Sequence, residues 1–258
     1  MSIQELFKLD GKTAIVTGGG RGLGEQMAHA LAEAGANIVI CSRKLAACES
    51  VAKEIHEKYG VKTLALPCDV SNKEQVENVV LRTVEEFQTI DILVNNSGIS
   101  WNASIFDLEE DKWDKVMDVN LKGTFLFSQA VAKVMKKQKS GKIINISSVL
   151  GLLGTDPRLV NTIAYNTSKG AIVTLTKDLS VKLGYYGITV NAIAPGLFQT
   201  ELTKTLEHIN PILMQKIPLK RFGVNDDLKA AIVYLASPAA NYLTGQTLII
   251  DGGLTTNL

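Results

Sequence analysis

Thr13-Ala14-Ile15-Val16-Thr17-Gly18-Gly19-Gly20-Arg21-Gly22-Leu23-Gly24 is the stretch that decides the fold. A β-branched apolar run enters a glycine cluster, and an alanine-rich segment with helical character follows. Strand, tight turn and helix make a phosphate-binding corner. Glycine lets the backbone approach a pyrophosphate, and the helix N-terminus offers free N–H groups and partial positive charge. The spacing is Gly-x-x-x-Gly-x-Gly, through Gly18, Gly22 and Gly24, and differs from the commoner Gly-x-Gly-x-x-Gly dinucleotide fingerprint.

Outward from this corner, strand-like and helix-like runs alternate almost to the end. The strand candidates are Thr13–Thr17, Asn37–Cys41, Lys62–Leu66, Asp91–Val94, Lys142–Ser147, Ile188–Ile193 and Thr247–Ile250. They are short and apolar on both faces, as parallel strands covered by helices must be. Between them, Leu45, Cys48, Val51, Ala52, Ile55 and Tyr59 fall on one helical face, as do Val76, Val79, Val80 and Val84. The pattern predicts an α/β fold, a single-domain Rossmann-type doubly wound parallel sheet over residues 1–258. The segment Leu197–Arg221, broken by Pro211 and Pro218, is expected to form a substrate lid.

Bulk properties narrow the function. The 258 residues are 46% hydrophobic and 21% charged, with a net charge of +1, so no electrostatic case exists for nucleic acid or an anionic membrane. No apolar run reaches transmembrane length, and the first residues carry Glu5 and Asp10 rather than a leader-like apolar core. Cys41, Cys48 and Cys68 lack metal-ligand spacing and read as buried thiols in a reducing compartment, which predicts the cytoplasm. No metal-ligand cluster is legible, and a metal-free chemistry is expected.

The end of the second strand reports on the cofactor. An NAD site places an Asp or Glu there for the ribose 2′-hydroxyl. This chain has Ser42-Arg43-Lys44. A hydroxyl and a guanidinium suit a 2′-phosphate, and Arg21 inside the glycine loop supplies a second cation, so NADP(H) is expected over NAD(H). Asp69-Val70 follows the third strand, where a carboxylate accepts from an adenine amino group. Asn95-Asn96-Ser97-Gly98 follows the fourth, where small and amide residues line a cofactor crevice.

Tyr165 and Lys169 stand four residues apart and share a helical face. A free tyrosine titrates at ~10, and a neighbouring cation lowers that value toward useful acid–base chemistry. Ser148, at the end of Ile143-Ile144-Asn145-Ile146-Ser147-Ser148, is placed to hold a substrate oxygen for Tyr165.

With these residues in order, the chain resembles the short-chain dehydrogenase/reductase family. The motifs are TGGGRGLG, NNSG, the Asn of Met117-Asp118-Val119-Asn120, Ser148, Tyr165-Asn166-Thr167-Ser168-Lys169, Pro195-Gly196-Leu197-Phe198-Gln199-Thr200 and the terminal Thr244-Gly245-Gln246 with Asp251-Gly252-Gly253. The resemblance implies seven parallel strands and a homotetramer, or a dimer. It implies a tetrad of Asn120, Ser148, Tyr165 and Lys169, with Tyr165 the acid–base and Asn120 maintaining a water relay to Lys169. It extends the cofactor set of Gly18, Gly20, Arg21, Gly22, Leu23, Gly24, Ser42, Arg43, Asp69, Val70, Asn96 and Gly98 by Tyr165, Lys169, Pro195, Gly196 and Thr200. The implied activity is NADP(H)-dependent interconversion of a ketone and a secondary alcohol of small-molecule type. The chain is similar to 3-oxoacyl-carrier-protein reductases and to gluconate 5-dehydrogenases, which differ in the substrate's tail. A non-catalytic dinucleotide sensor is disfavoured because all four tetrad residues are present. Two departures stand out: Ser97 in place of alanine, and a longer segment between Ser148 and Tyr165, within Gly154–Thr162. Arg158 of that segment is a candidate contact for a substrate anion.

Overall fold

The computed structural model describes residues 1–198 and 214–256. Seven parallel strands form one sheet: β1 (Thr13–Thr17), β2 (Asn37–Ser42), β3 (Thr63–Pro67), β4 (Ile92–Asn95), β5 (Gly141–Ile146), β6 (Ile188–Pro195) and β7 (Thr247–Ile250). Their order is β3-β2-β1-β4-β5-β6-β7, and every adjacent pair is parallel. The winding reverses between β1 and β4, and in such sheets the crevice at the strands' carboxyl ends is the ligand site.

Among the described residues, the α-helices are α1 (Ile3–Leu6), α2 (Gly22–Glu33), α3 (Leu45–Tyr59), α4 (Lys73–Phe87), α5 (Glu110–Met117), α6 (Gly123–Gln138), α7 (Ile163–Gly184) and α8 (Asp226–Ala236). Val16 and Ile40 point to one face of the sheet, where they pack with Met27 and Leu31 of α2, Cys48 and Ile55 of α3, and Ile232 of α8. Ile15 and Val39 point to the other, against Val76 and Val79 of α4 and Phe127 and Met135 of α6. Each such aliphatic side chain contributes ~1.5–3 kcal/mol on burial. This two-sided demand explains why the strands read as continuous apolar runs.

The observed strands differ from the expected ones at their ends. β6 continues two residues to Pro195, because Pro195 pairs in register with Ile250 and the Gly196 N–H closes on the Ile250 carbonyl at 2.8 Å. β5 stops before Ser147, whose hydroxyl turns to the Lys169 carbonyl at 2.7 Å. All three cysteines are buried free thiols, as expected.

A buried polar ladder crosses the frame behind the crevice. Asn95 and Asn145 are register partners on β4 and β5. The Asn95 Nδ2 donates to Ser128 Oγ of α6 at 3.0 Å and to Asn145 Oδ1 at 2.9 Å. Asn145 Nδ2 donates in turn to Thr176 Oγ1 of α7 at 2.9 Å, and Thr176 Oγ1 to the Ile172 carbonyl at 2.8 Å. Among the described residues, no helix is long and apolar enough to cross a membrane.

Candidate active site

The glycine corner is closed by its neighbour across the switch point. Gly18 has a φ of +65°, a left-handed conformation that favours glycine. Thr17 Oγ1 accepts the N–H groups of Asn96 and Ser97 at 2.9 and 3.0 Å. The Asn96 amide donates to the Thr17 and Gly18 carbonyls at 3.0 and 3.2 Å. A Cβ on Gly24 would collide with that amide and with the Gly18 carbonyl. Arg21, at the N-cap of α2, makes no side-chain cap, so the first N–H groups of the helix remain available to an anion. Nothing lies within 4 Å of where a Gly22 Cβ would sit. The corner is a backbone cradle of the shape and polarity a pyrophosphate requires. Leu23 is partly buried against the α2 side of the core and offers the cradle its backbone. Gly20 sits against the start of α3, its missing Cβ 3.2 Å from Cys48 Sγ.

At the end of β2, Arg43 is exposed, as is Arg21, and neither guanidinium has an ion-pair partner among the described residues. Ser42 differs from expectation. Its hydroxyl is engaged locally, accepting the Lys44 N–H at 3.2 Å and lying 3.1 Å from Cys48 Sγ, because the chain must turn there into α3. Burial pushes the Asp69 carboxyl up, but bonds from the Ser71 hydroxyl and N–H, at 2.7 and 3.0 Å, and the charges of Arg43 and Lys115 hold it below its ordinary value. Val70 is buried beside Gly123, whose Cβ would stand 2.7 Å from Val70 Cγ2. Gly98 faces a polar gap: its Cβ would lie 3.5 Å from both Asn120 Oδ1 and Lys169 Nζ. Pro195 ends β6 at the rim of the same crevice, and Gly196 follows it. Thr200, and Gln199 to residue 213 of the expected lid, lie outside the described residues.

Tyr165 sits in the first turn of α7, with Lys169 one turn on. Ser148, 7% exposed, caps the short turn Val149–Gly151 after β5, its Oγ accepting the Leu150 N–H at 3.2 Å, and its hydroxyl lies beside the phenol. The expected electrostatics differ. Burial pushes the Tyr165 phenol up, and the Ser148 hydrogen bond pulls it back down only in part. Lys169 Nζ donates to the Ile146 carbonyl at 2.6 Å and stands 5.6 Å from the centroid of the Tyr165 ring. Lys169 is 4% exposed, and burial lowers its ammonium to about 8. The lysine is thus aimed at the strand end, beside the ring rather than at the phenolic oxygen.

Asn120 lies in a π-helical turn, Asp118–Lys122, wedged between α5 and α6. Such turns re-aim side chains and cluster at functional sites. Its Oδ1 accepts the Ile99 N–H at 2.8 Å, while its Nδ2 donates to the Ile99 carbonyl and to Ser168 Oγ, both at 2.9 Å. Ser168 Oγ donates to the Tyr165 carbonyl at 2.7 Å. The side chain therefore braces the Gly98–Ile99 loop against the tyrosine's helix.

The sequence reading missed a second brace. Asn166 Oδ1 accepts from Thr162 Oγ1 at 2.9 Å, and its Nδ2 donates to Thr155 Oγ1 at 3.3 Å. The longer 154–162 loop is thereby tied to the residue after Tyr165. Across the mouth, Ala103 N donates to the Asn161 carbonyl at 2.9 Å and Asn161 N to Asn102 Oδ1 at 3.2 Å. A polar residue in every turn of a loop is the only sequence signal for this. Arg158 is exposed and chelated by Asp156, whose carboxyl it holds at about 2.

Comparison with known proteins shows the family and the fold. A family model described as enoyl-(acyl carrier protein) reductase matches residues 18–255. A 3-oxoacyl-[acyl-carrier-protein] reductase of Synechocystis is 40% identical over 248 residues, 95% of this chain and 98% of the relative. The crystal structure of a gluconate 5-dehydrogenase from Burkholderia cenocepacia, in complex with NADP and tartrate, superposes with a TM-score of 0.94 at 38% identity, covering 100% of both chains. An NADPH-dependent 3-quinuclidinone reductase from Rhodotorula rubra superposes with a TM-score of 0.94 at 33% identity, covering 99% of this chain and 96% of that one.

Proposed function

Since the chain belongs to the short-chain dehydrogenase/reductase family and is an oxidoreductase of that family, we propose that it reduces a ketone to a secondary alcohol with NADPH, using Tyr165 as the acid. The observation that carries the reading is Tyr165, Ser148 and Lys169 meeting at the carboxyl end of the sheet, one crevice away from a glycine cradle with exposed arginines. The family binds a nicotinamide dinucleotide. Gly18, Gly20, Gly22, Leu23 and Gly24 would receive its pyrophosphate, Arg21 and Arg43 a 2′-phosphate, with Ser42 holding their turn. Asp69 and Val70 would border the adenine. Asn96, Gly98, Pro195, Gly196 and Thr200 would line the nicotinamide half.

When bound, the reduced nicotinamide supplies the hydride that the carbonyl carbon accepts. Ser148 holds the carbonyl oxygen, and Tyr165 donates its phenolic proton to that oxygen. Burial alone makes the phenol a weaker acid, so its use as the proton donor depends on positive charge placed beside it. Lys169 carries positive charge beside the ring as phenolate develops. With its ammonium brought to about 8, it also lies close enough to neutrality to pass a proton on. Asn120 acts as a positioning residue that keeps the polar gap between Gly98 and Lys169 open.

The substrate reading is a 3-oxoacyl thioester or related carbonyl compound, supported by the 40% identical relative. A sugar-acid substrate is the second reading, favoured by the gluconate dehydrogenase likeness over the full length of both chains. Homotetramer formation is proposed on the edge strand β7, which exposes Leu248 and Ile249 at 38% and 43% and leaves a sheet edge that calls for cover.

The test is Tyr165→Phe. It should retain NADPH binding by fluorescence titration and lose about 10²–10⁴-fold in turnover. Turnover within threefold of wild type would place the acid elsewhere. A panel of acyl thioesters, keto-sugar acids and simple diketones then separates the substrate readings.

A further inference from the structure

A second cluster of ligand-type side chains lies between α2 and α3, and none of its members takes part in the proposed reaction. Glu25 and His29 are one turn apart on α2, and Glu54 faces them from α3. One ligand atom from each lies within 4.8 Å of the other two. Glu54 Oε1 stands 3.6 Å from His29 Nε2, beyond hydrogen-bond length. The imidazole is only 13% exposed, and its enclosed Nδ1 has no hydrogen-bond partner. Its ring packs edge-on against Tyr59 at 5.8 Å, which fixes its plane. Neither glutamate meets a lysine or arginine within ion-pair distance among the described residues.

These facts describe an unbalanced site. Two carboxylates converge on one imidazole whose nitrogens lack proper hydrogen bonds, in a protein that satisfies most other buried polar groups. Convergent carboxylates repel one another. A divalent cation bound at Nε2, the nitrogen that faces Glu54, would neutralise the carboxylates and give that nitrogen a ligand.

We propose that Glu25, His29 and Glu54 form a binding site for a first-row divalent cation of the zinc class, clamping α2 to α3. One imidazole and two carboxylates suit zinc, cobalt or nickel, whereas calcium and magnesium prefer all-oxygen shells. Metal–ligand distances of about 2.0–2.2 Å require tetrahedral ligand atoms about 3.3–3.5 Å apart. The cluster must close by roughly 1.5 Å at most on that basis, and the Glu54–His29 pair, at 3.6 Å, is already close to that spacing. Three protein ligands leave the fourth position to water. Sequence spacing shows only half the site, the Glu-x-x-x-His turn of α2, because the third ligand arrives from another helix.

The full chain, freed of metal with a chelator, is titrated with Co²⁺ while visible absorption is followed, and Zn²⁺ is then added in competition. The expected result is saturable tetrahedral d–d bands at one Co²⁺ per chain, displaced by Zn²⁺, with a metal-dependent rise in Tm. His29→Asn and Glu54→Gln should each weaken binding about 100-fold or more, and His56→Asn should leave it unchanged. Should His29→Asn fail to fold, the exposed Glu54→Gln decides alone. An absent saturable band, equal affinity in Glu54→Gln, or a thiolate charge-transfer band marking the cysteines as ligands would each overturn the proposal.

Discussion

Replacing Lys169 by methionine tests the electrostatics of the site apart from catalysis. Lys169 is 4% exposed, and burial lowers its ammonium from 10.5 to about 8. That difference corresponds to about 3 kcal/mol. The sign follows from linkage. A folded-state value below the unfolded one means that protons favour the unfolded chain, so the penalty is complete below pH 8 and fades as pH climbs toward 10.5. The wild-type protein therefore gains about 3 kcal/mol from this group across that window. Lys142, also lowered to about 8 by burial, titrates over the same range in both proteins and cancels in their difference. Lys169→Met removes the titration. It also orphans the Ile146 carbonyl, an offset independent of pH. Urea unfolding of both proteins, without nucleotide, at intervals from pH 7 to 10 should show the stability of the variant relative to wild type falling steadily with pH. Parallel pH profiles would refute the assignment of a buried, charged lysine.

Two further outcomes follow from the cofactor cradle. Gly24→Ala forces a methyl into the Asn96 amide and the Gly18 carbonyl, so it should cost ~1–3 kcal/mol of stability by chemical denaturation and weaken NADPH at least about tenfold through the displaced corner. An unchanged Kd would move the phosphates elsewhere. Ser42→Asp puts a carboxylate where a 2′-phosphate is expected and should reverse the NADPH-to-NADH ratio of kcat/KM; an unaltered ratio would remove Ser42 and Arg43 from cofactor choice.

The frame was legible because its signals are local. Thr13–Thr17 is apolar at every inner position, and the strand β1 it becomes is buried throughout. The Cys48-Val51-Ile55 and Val76-Val79-Val80 stripes became the buried faces of α3 and α4. The site residues were legible as types in order, but their orientation was not. Lys169 turning to Ile146, the π-helical turn that aims Asn120, and the Thr155-Asn166-Thr162 tie all depend on groups brought together by folding. Ser42 shows the limit well: its identity marks a place without a carboxylate, yet its hydroxyl is claimed by the turn into α3.

The amide ladder through Asn95 and Asn145 has a consequence for how such a protein can diversify. Each rung is a short directional bond between strand and helix, so α6 and α7 cannot slide along the sheet by small amounts. A shift would have to break Asn95–Ser128 and Asn145–Thr176 together and strand their polar groups in apolar surroundings. The phenol of Tyr165 rides on a helix indexed to the sheet like a gear tooth. Novelty in substrate must then come from the rim, where the 154–162 and Trp101–Ala103 segments meet, while Tyr165 stays in place.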